Sequence, residues 1–196
     1  MKHSEPVTQE ACKMVMKQTQ RMVSMAQELL DFAKGSPSLT TEILPVSVVL
    51  KEFKALNKDL FEKSKVQLTI QPIETKIMVD PDRISRVFQN LATNAVEAMT
   101  GKEGTLHVSA REDGKDVEIC VADNGPGIPE AIRDTIFEPF VTHGKKTGTG
   151  LGMAIVKMMV EAHKGHISFK TESGKGTSFL IRLPKYKPEQ ASAGSR

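Results

Sequence analysis

Asp123-Asn124-Gly125-Pro126-Gly127-Ile128 and, a loop's length downstream, Gly148-Thr149-Gly150-Leu151-Gly152 are the stretches around which the chain is organised. Each is a turn in which backbone must approach something closely, and glycine, lacking a Cβ, permits both positive φ and that approach. Asn-Gly and Pro-Gly are also ordinary turn dipeptides, so the flanks decide the reading. Upstream, the run 117–121 (Val-Glu-Ile-Cys-Val) alternates apolar and polar, which predicts a strand ending with Asp123 aimed into the crevice beyond it. Downstream, Leu151, Ile155, Met158, Met159 and Ala162 recur at three- and four-residue steps, the spacing of a helix beginning near Gly150. Glycine N–H groups that open a helix form an anion site, because the first-turn donors are unpaired and the dipole favours negative charge. The two stretches together predict a nucleotide pocket with phosphates at residues 148–152.

Composition bounds what the rest can be. With 196 residues, 39% apolar and 26% charged, the chain has room for one full core and an appendage. A net charge of +3, one Tyr, no Trp and no Lys/Arg run argue against a nucleic-acid partner. Cys12 and Cys120 lie far apart in no metal spacing and read as two reduced thiols. No run is long and apolar enough for a membrane span, and the start Met-Lys-His-Ser-Glu-Pro has no signal core. The expected location is the cytoplasm, which a cytoplasmic part of a membrane receptor shares.

Three domains are expected: a partial dimerisation helix at 1–36, an ATP-binding domain at 37–186 and a disordered tail at 187–196. In 7–34, Ala11, Val15, Gln18, Met22, Met25, Leu29 and Phe32 follow alternating four- and three-residue steps, the heptad seam of a helix that packs lengthwise on partners. Met14, Ala26, Leu30 and Ala33 widen that stripe toward a bundle; the alternative is a terminal helix folded back on the core. Gly35-Ser36-Pro37-Ser38 stops the helix. Helical spacing follows over 46–63, then strands at 66–70 and 77–79. Asp80-Pro81 opens a helix running to about Met99, with Asn90 and Asn94 one turn apart beside its apolar face. Two asparagines there need a reason, either a ligand or buried amides that satisfy loop backbone. A hairpin at 105–111 and 116–123 turns on Asp113-Gly114, and strands at 166–171 and 177–183 flank Gly174-Lys175-Gly176. The order predicts an α+β, two-layer sandwich: a mixed sheet of about five main strands covered on one face by three helices, after a long N-terminal bundle helix.

These motifs together resemble the histidine protein kinases of two-component systems, over nearly the whole chain. Asn90-Leu91-Ala92-Thr93-Asn94-Ala95 is similar to that family's asparagine box, residues 123–127 to its first glycine box and Phe137-Glu138-Pro139-Phe140 to its phenylalanine box. Residues 148–152 match its second glycine box and Gly174-Lys175-Gly176-Thr177 a further glycine motif. The heptad helix is similar to the second helix of the family's dimerisation bundle, and the short loop between Phe140 and Gly148 resembles the nitrogen-regulation type.

The resemblance implies roles that chemistry supports. Asp123 would accept a hydrogen bond from the exocyclic amine of adenine, selecting ATP over GTP, with Thr177 assisting through water. Asn94 would give an amide oxygen to Mg²⁺. Lys145 and Lys146, with His143 less directly, would neutralise the γ-phosphate, although two lysines on a solvated loop would read the same on charge alone. Gly125, Gly127, Ile128, Thr149, Gly150, Leu151 and Gly152 would complete the nucleotide site. Phe140 joins them by its motif, with lid packing as its own reading. The implied partners are a response-regulator receiver domain and a second copy bound through the N-terminal helix.

Related gyrase, chaperone and mismatch-repair ATPases place a glutamate where Asn90 stands, as general base for water. An amide cannot take that proton, which favours phosphoryl transfer to a protein histidine over hydrolysis. A serine kinase of the anti-sigma type and a nucleotide-sensing module without kinase activity are the alternatives. The chain departs from the family at the acceptor, since His3, His107, His143, His163 and His166 all lack its spacing. The expectation is therefore a catalytic domain with half of its dimerisation module, the acceptor helix being absent.

Overall fold

The computed structural model describes residues 38–143 and 149–188, and residues 11, 12, 14–16, 18, 19, 22, 23, 26, 29 and 30 before them. The latter are all helical, and Met14, Val15, Met22, Leu29 and Leu30 among them are exposed. Met25 and Phe32 of the expected seam lie outside the described residues.

From there the chain forms β1 (Glu42–Pro45), α1 (Val46–Leu56), α2 (Lys58–Glu62), β2 (Val66–Gln71), β3 (Lys76–Val79) and α3 (Pro81–Ala98). It continues through β4 (Gly104–Asp113), β5 (Asp116–Asp123), α4 (Glu130–Arg133), α5 (Gly152–Ala162), β6 (His166–Glu172) and β7 (Gly176–Pro184). Five strands make a mixed sheet in the order β2-β4-β5-β7-β6, with β2 and β4 parallel and the other pairs antiparallel. This is the expected α+β sandwich, with α1, α3 and α5 on its apolar face.

Two elements differ from expectation. The helix expected over 46–63 breaks at Asn57, whose side-chain Nδ2 donates to the Phe53 carbonyl at 2.9 Å and competes with helix continuation. The strand expected at 77–79 is not in the main sheet: it pairs with β1 as a separate antiparallel ribbon, Ile43 opposite Met78. On β3's other side, Ile77 bridges Lys185, and the Tyr186 N–H donates to the Lys76 carbonyl at 2.8 Å.

Strand alternation sorts the residues of β5. Val117, Ile119 and Val121 are buried against the helices, with Leu106, Val108, Ile181 and Leu183 of the neighbouring strands beside them. Phe53 of α1 meets Phe88 of α3 with ring centroids 5.7 Å apart. Burying one such ring contributes roughly 1.5–3 kcal/mol. Glu118 points to the opposite face yet is only 4% exposed, held by Arg111 and Arg182 on the adjacent strands. The Arg111 hydrogen bond is the largest cause holding its carboxyl below the usual range, and burial opposes it.

Candidate functional site

The helix α3 starts where Asp80 caps it, Oδ1 accepting from the Arg83 N–H at 3.1 Å, with Pro81 in the first turn. Ile84, Val87, Phe88, Leu91, Ala92 and Ala95 lock one face into the core, so the helical period places Asn90 and Asn94 together on the flank. Asn94 Nδ2 lies 3.2 Å from the Met153 sulfur in the first turn of α5. A Cβ built on Gly152 would lie 3.7 Å from Asn90 Oδ1, so both amides border the start of α5.

Asp123 ends β5 opposite Thr177 of β7. Its Oδ1 accepts from the Gly125 N–H at 2.8 Å and the Thr177 N–H at 3.3 Å. Burial pushes this carboxyl above its ordinary value, with the two backbone donors pulling the other way. After the turn, Gly127 at φ +80° runs against β6, where a Cβ would stand 2.5 Å from the Glu172 carbonyl oxygen. Only glycine fits there. The Ile128 N–H then donates to Thr171 Oγ1 at 2.8 Å, and that hydroxyl lies 3.1 Å from Thr177 Oγ1.

Of the phenylalanine pair, Phe137 packs edge-on against Phe169 at 6.0 Å, while Phe140 is 64% exposed. Phe140 has φ +66°, and its N–H donates to the Gly150 carbonyl at 3.0 Å. Gly150, at φ +73°, has no room for a Cβ, which would stand 2.5 Å from Phe140 backbone. Helix α5 follows without a side-chain cap, leaving its first-turn amides for a ligand.

These elements enclose a cavity of about 320 Å³, within the span of small-molecule sites. It brings together ten of the sequence-derived candidates: Asn90, Asn94, Asp123, Gly127, Ile128, His143, Thr149, Gly150, Gly152 and Thr177. Gly125, Phe140 and Leu151 do not line it: Gly125 orients Asp123, Phe140 meets Gly150, and Leu151 is fully buried in the core. Lys145, Lys146 and Gly148 lie outside the described residues. The sequence reading missed the apolar wall, Ile132, Ile136, Met153 and Phe179, and the hydroxyl of Thr171. The apolar spacing through 128–136 was a usable signal; Thr171 gave none, being a polar residue at an ordinary strand position.

The histidines separate by environment. His163 is buried with both ring nitrogens engaged, His107 bonds Thr69 across the sheet, His166 is exposed at the start of β6, and His143 borders the cavity.

A sandwich with this cavity at the open ends of β5 and β7 defines a nucleotide-binding α+β domain. Residues 79–187 match the family model for histidine kinase-, DNA gyrase B- and HSP90-like ATPases, and the chain belongs to that ATP-binding family. The sensor histidine kinase ZraS of Salmonella typhimurium is 36% identical over 178 residues, covering 89% of this chain and 38% of that protein. Sporulation kinase A of Bacillus subtilis is 33% identical, covering 87% and 28%. The chain thus spans less than two fifths of these curated relatives. Among solved structures, the nucleotide-free catalytic domain of the histidine kinase ThkA superimposes with a TM-score of 0.67 at 27% identity, covering 75% of this chain and 97% of that one. Full-length ShkA in complex with AMPPNP gives 0.77 at 26% identity, covering 92% and 39%.

Proposed function

We propose that this chain is the ATP-binding catalytic part of a two-component histidine kinase, transferring the γ-phosphate of ATP to a histidine on a dimerisation-bundle helix. The observation that carries the reading is the meeting of Asn90, Asn94, Asp123 and the uncapped start of α5 in one cavity. Asp123 Oδ2 takes the adenine amine, and the apolar wall of Ile128, Ile136 and Phe179 takes the ring faces. The first-turn amides of α5 receive phosphate oxygens. Asn94 supplies the kind of neutral oxygen that Mg²⁺ accepts beside water and phosphate, so the residues present fit that ion. Mg²⁺, when bound, neutralises phosphate charge. Lys145 and Lys146 are proposed to meet the γ-phosphate from the loop. Asn90 cannot serve as a base, so the acceptor histidine rather than water receives the phosphoryl group.

ZraS and sporulation kinase A are named as kinases and ShkA was solved with AMPPNP, which supports the reading. By the same likeness the partners are a response-regulator receiver domain and a second copy joined through the N-terminal helix. The test is incubation with γ-labelled ATP and a supplied cognate bundle. Acid-labile, base-stable label on the bundle is expected; ATP binding without any transfer would favour a nucleotide-sensing module.

A further inference from the structure

At the far end of the α3–α5 pair from the cavity, three segments meet on two buried residues. Asp80 is 7% and His163 6% exposed. His163 caps the end of α5: its Nδ1 stands 2.6 Å from the Met159 carbonyl oxygen, one turn back. A carbonyl only accepts, so the ring carries its proton on Nδ1. Nε2 is then a bare acceptor, and the Asp80 N–H donates to it at 3.0 Å. The Asp80 carboxylate in turn accepts from Arg83 N–H in the first turn of α3 and, on Oδ2 at 2.9 Å, from the N–H of Thr40 in the segment leading into the domain.

The helices are antiparallel, because Asn94 near the end of α3 meets Met153 at the start of α5, while Asp80 before α3 meets His163 after α5. We propose that His163 is a positioning residue for the nucleotide cavity, acting through Asp80 at the opposite end of the α3–α5 pair. The inference rests on the nucleotide reading of the cavity. The 14 steps from Asp80 to Asn94 span about 21 Å at the helical rise. A tilt of about 3° over that length moves Asn94 by about 1 Å relative to the α5 amides, and errors of that size can cost about a hundredfold in a reaction. The hydrogen bond between Asp80 and His163 fixes that tilt, with Thr40 tying the incoming segment to the same point.

Calorimetric titration of the full chain with AMPPNP and Mg²⁺ tests this, at a temperature where each variant keeps its native circular dichroism. His163→Leu, which removes the acceptor facing the Asp80 N–H, is expected to bind about tenfold more weakly. His163→Gln, whose amide oxygen can accept that bond, is expected to recover to within about threefold of the unaltered chain. A His163→Leu chain that melts earlier yet binds AMPPNP within about twofold of the original makes the histidine a stability element only and overturns the proposal. Should the leucine variant not fold, nitrogen NMR of the unaltered chain decides. Protonated Nδ1 and bare Nε2 are expected, with the Nε2 signal shifting when AMPPNP is added, and ring signals indifferent to AMPPNP overturn the proposal. An unaltered chain that binds no AMPPNP is a different result, which removes the nucleotide reading itself and this inference with it.

Discussion

At one end of the cavity Asp123 is held in place before any ligand arrives, by two backbone donors on a single oxygen at the end of a central strand. At the other end, Phe140 and Gly150 meet through one backbone hydrogen bond, both at positive φ, and the phenylalanine ring is exposed. Hydrogen bonds to a charged group contribute about 1.5–3 kcal/mol each, whereas a non-glycine residue in the left-handed region costs about 1–3. The first end is organised by interactions gained and the second by strain accepted. Base recognition is therefore expected to be rigid, and phosphate handling to depend on backbone shape.

The largest effect should come from Asn94, which stands between the two ends. Asn94→Ala is expected to weaken Mg-ATP binding by at least about tenfold, the 1.4 kcal/mol scale of one lost charge-assisted contact. Calorimetry with and without a chelator checks this, and equal affinity in all arms would sink the metal assignment. Next is Asp123→Asn, which keeps the size but swaps an acceptor for a donor facing adenine. ATP binding should fall about tenfold while the melting temperature holds within a few degrees. Loss of the fold instead would make the carboxylate a structural cap. Gly150→Ala sharpens the contrast from the strained side: the added Cβ must displace Phe140 backbone, so ATP affinity should fall a few-fold, about 1 kcal/mol, with adenosine affinity unchanged. Equal losses for ATP and adenosine would show that the two ends are not separable.

The smallest effect is a pH dependence of Asp123. Burial raises its folded pKa above the ordinary 3.8, so the folded chain holds this proton more tightly than the unfolded chain does. Its contribution to stability is fully present below the unfolded value and lost as pH rises through the raised folded value. ATP binding needs the carboxylate and runs the opposite way, weakening as pH falls through that window. Parallel melting and binding curves from neutral pH down toward 4 check the two signs, and Asp123→Asn should flatten both.

Where local pattern and tertiary contact agree, the fold was legible in residues alone. The apolar–polar alternation of β5 and the capped start of α3 both reflect one buried face, and each lies within a residue or two of its expected bounds. Legibility failed where a tertiary partner decides. Glu42–Pro45 is too short and too close to a proline to read as a strand, and becomes one only because β3 is alongside. Asn57 breaks an apolar helical pattern by a side-chain bond that spacing does not encode. The candidate site was legible where glycines and asparagines have few other reasons to occur. Its apolar wall was hidden because Ile132, Met153 and Phe179 look like any core residues until the cavity brings them together.

The placement of β3 between the first strand and the last described residues has a mechanical consequence. β1 and the 185–186 segment both run antiparallel to β3, and so parallel to each other, on its two sides. Tension applied between the two ends of the domain is then carried in shear across this narrow ribbon, where hydrogen bonds share the load rather than parting one by one. A pull on the segment before β1 would load this ribbon and, through the Thr40 N–H held by Asp80, the start of α3 as well.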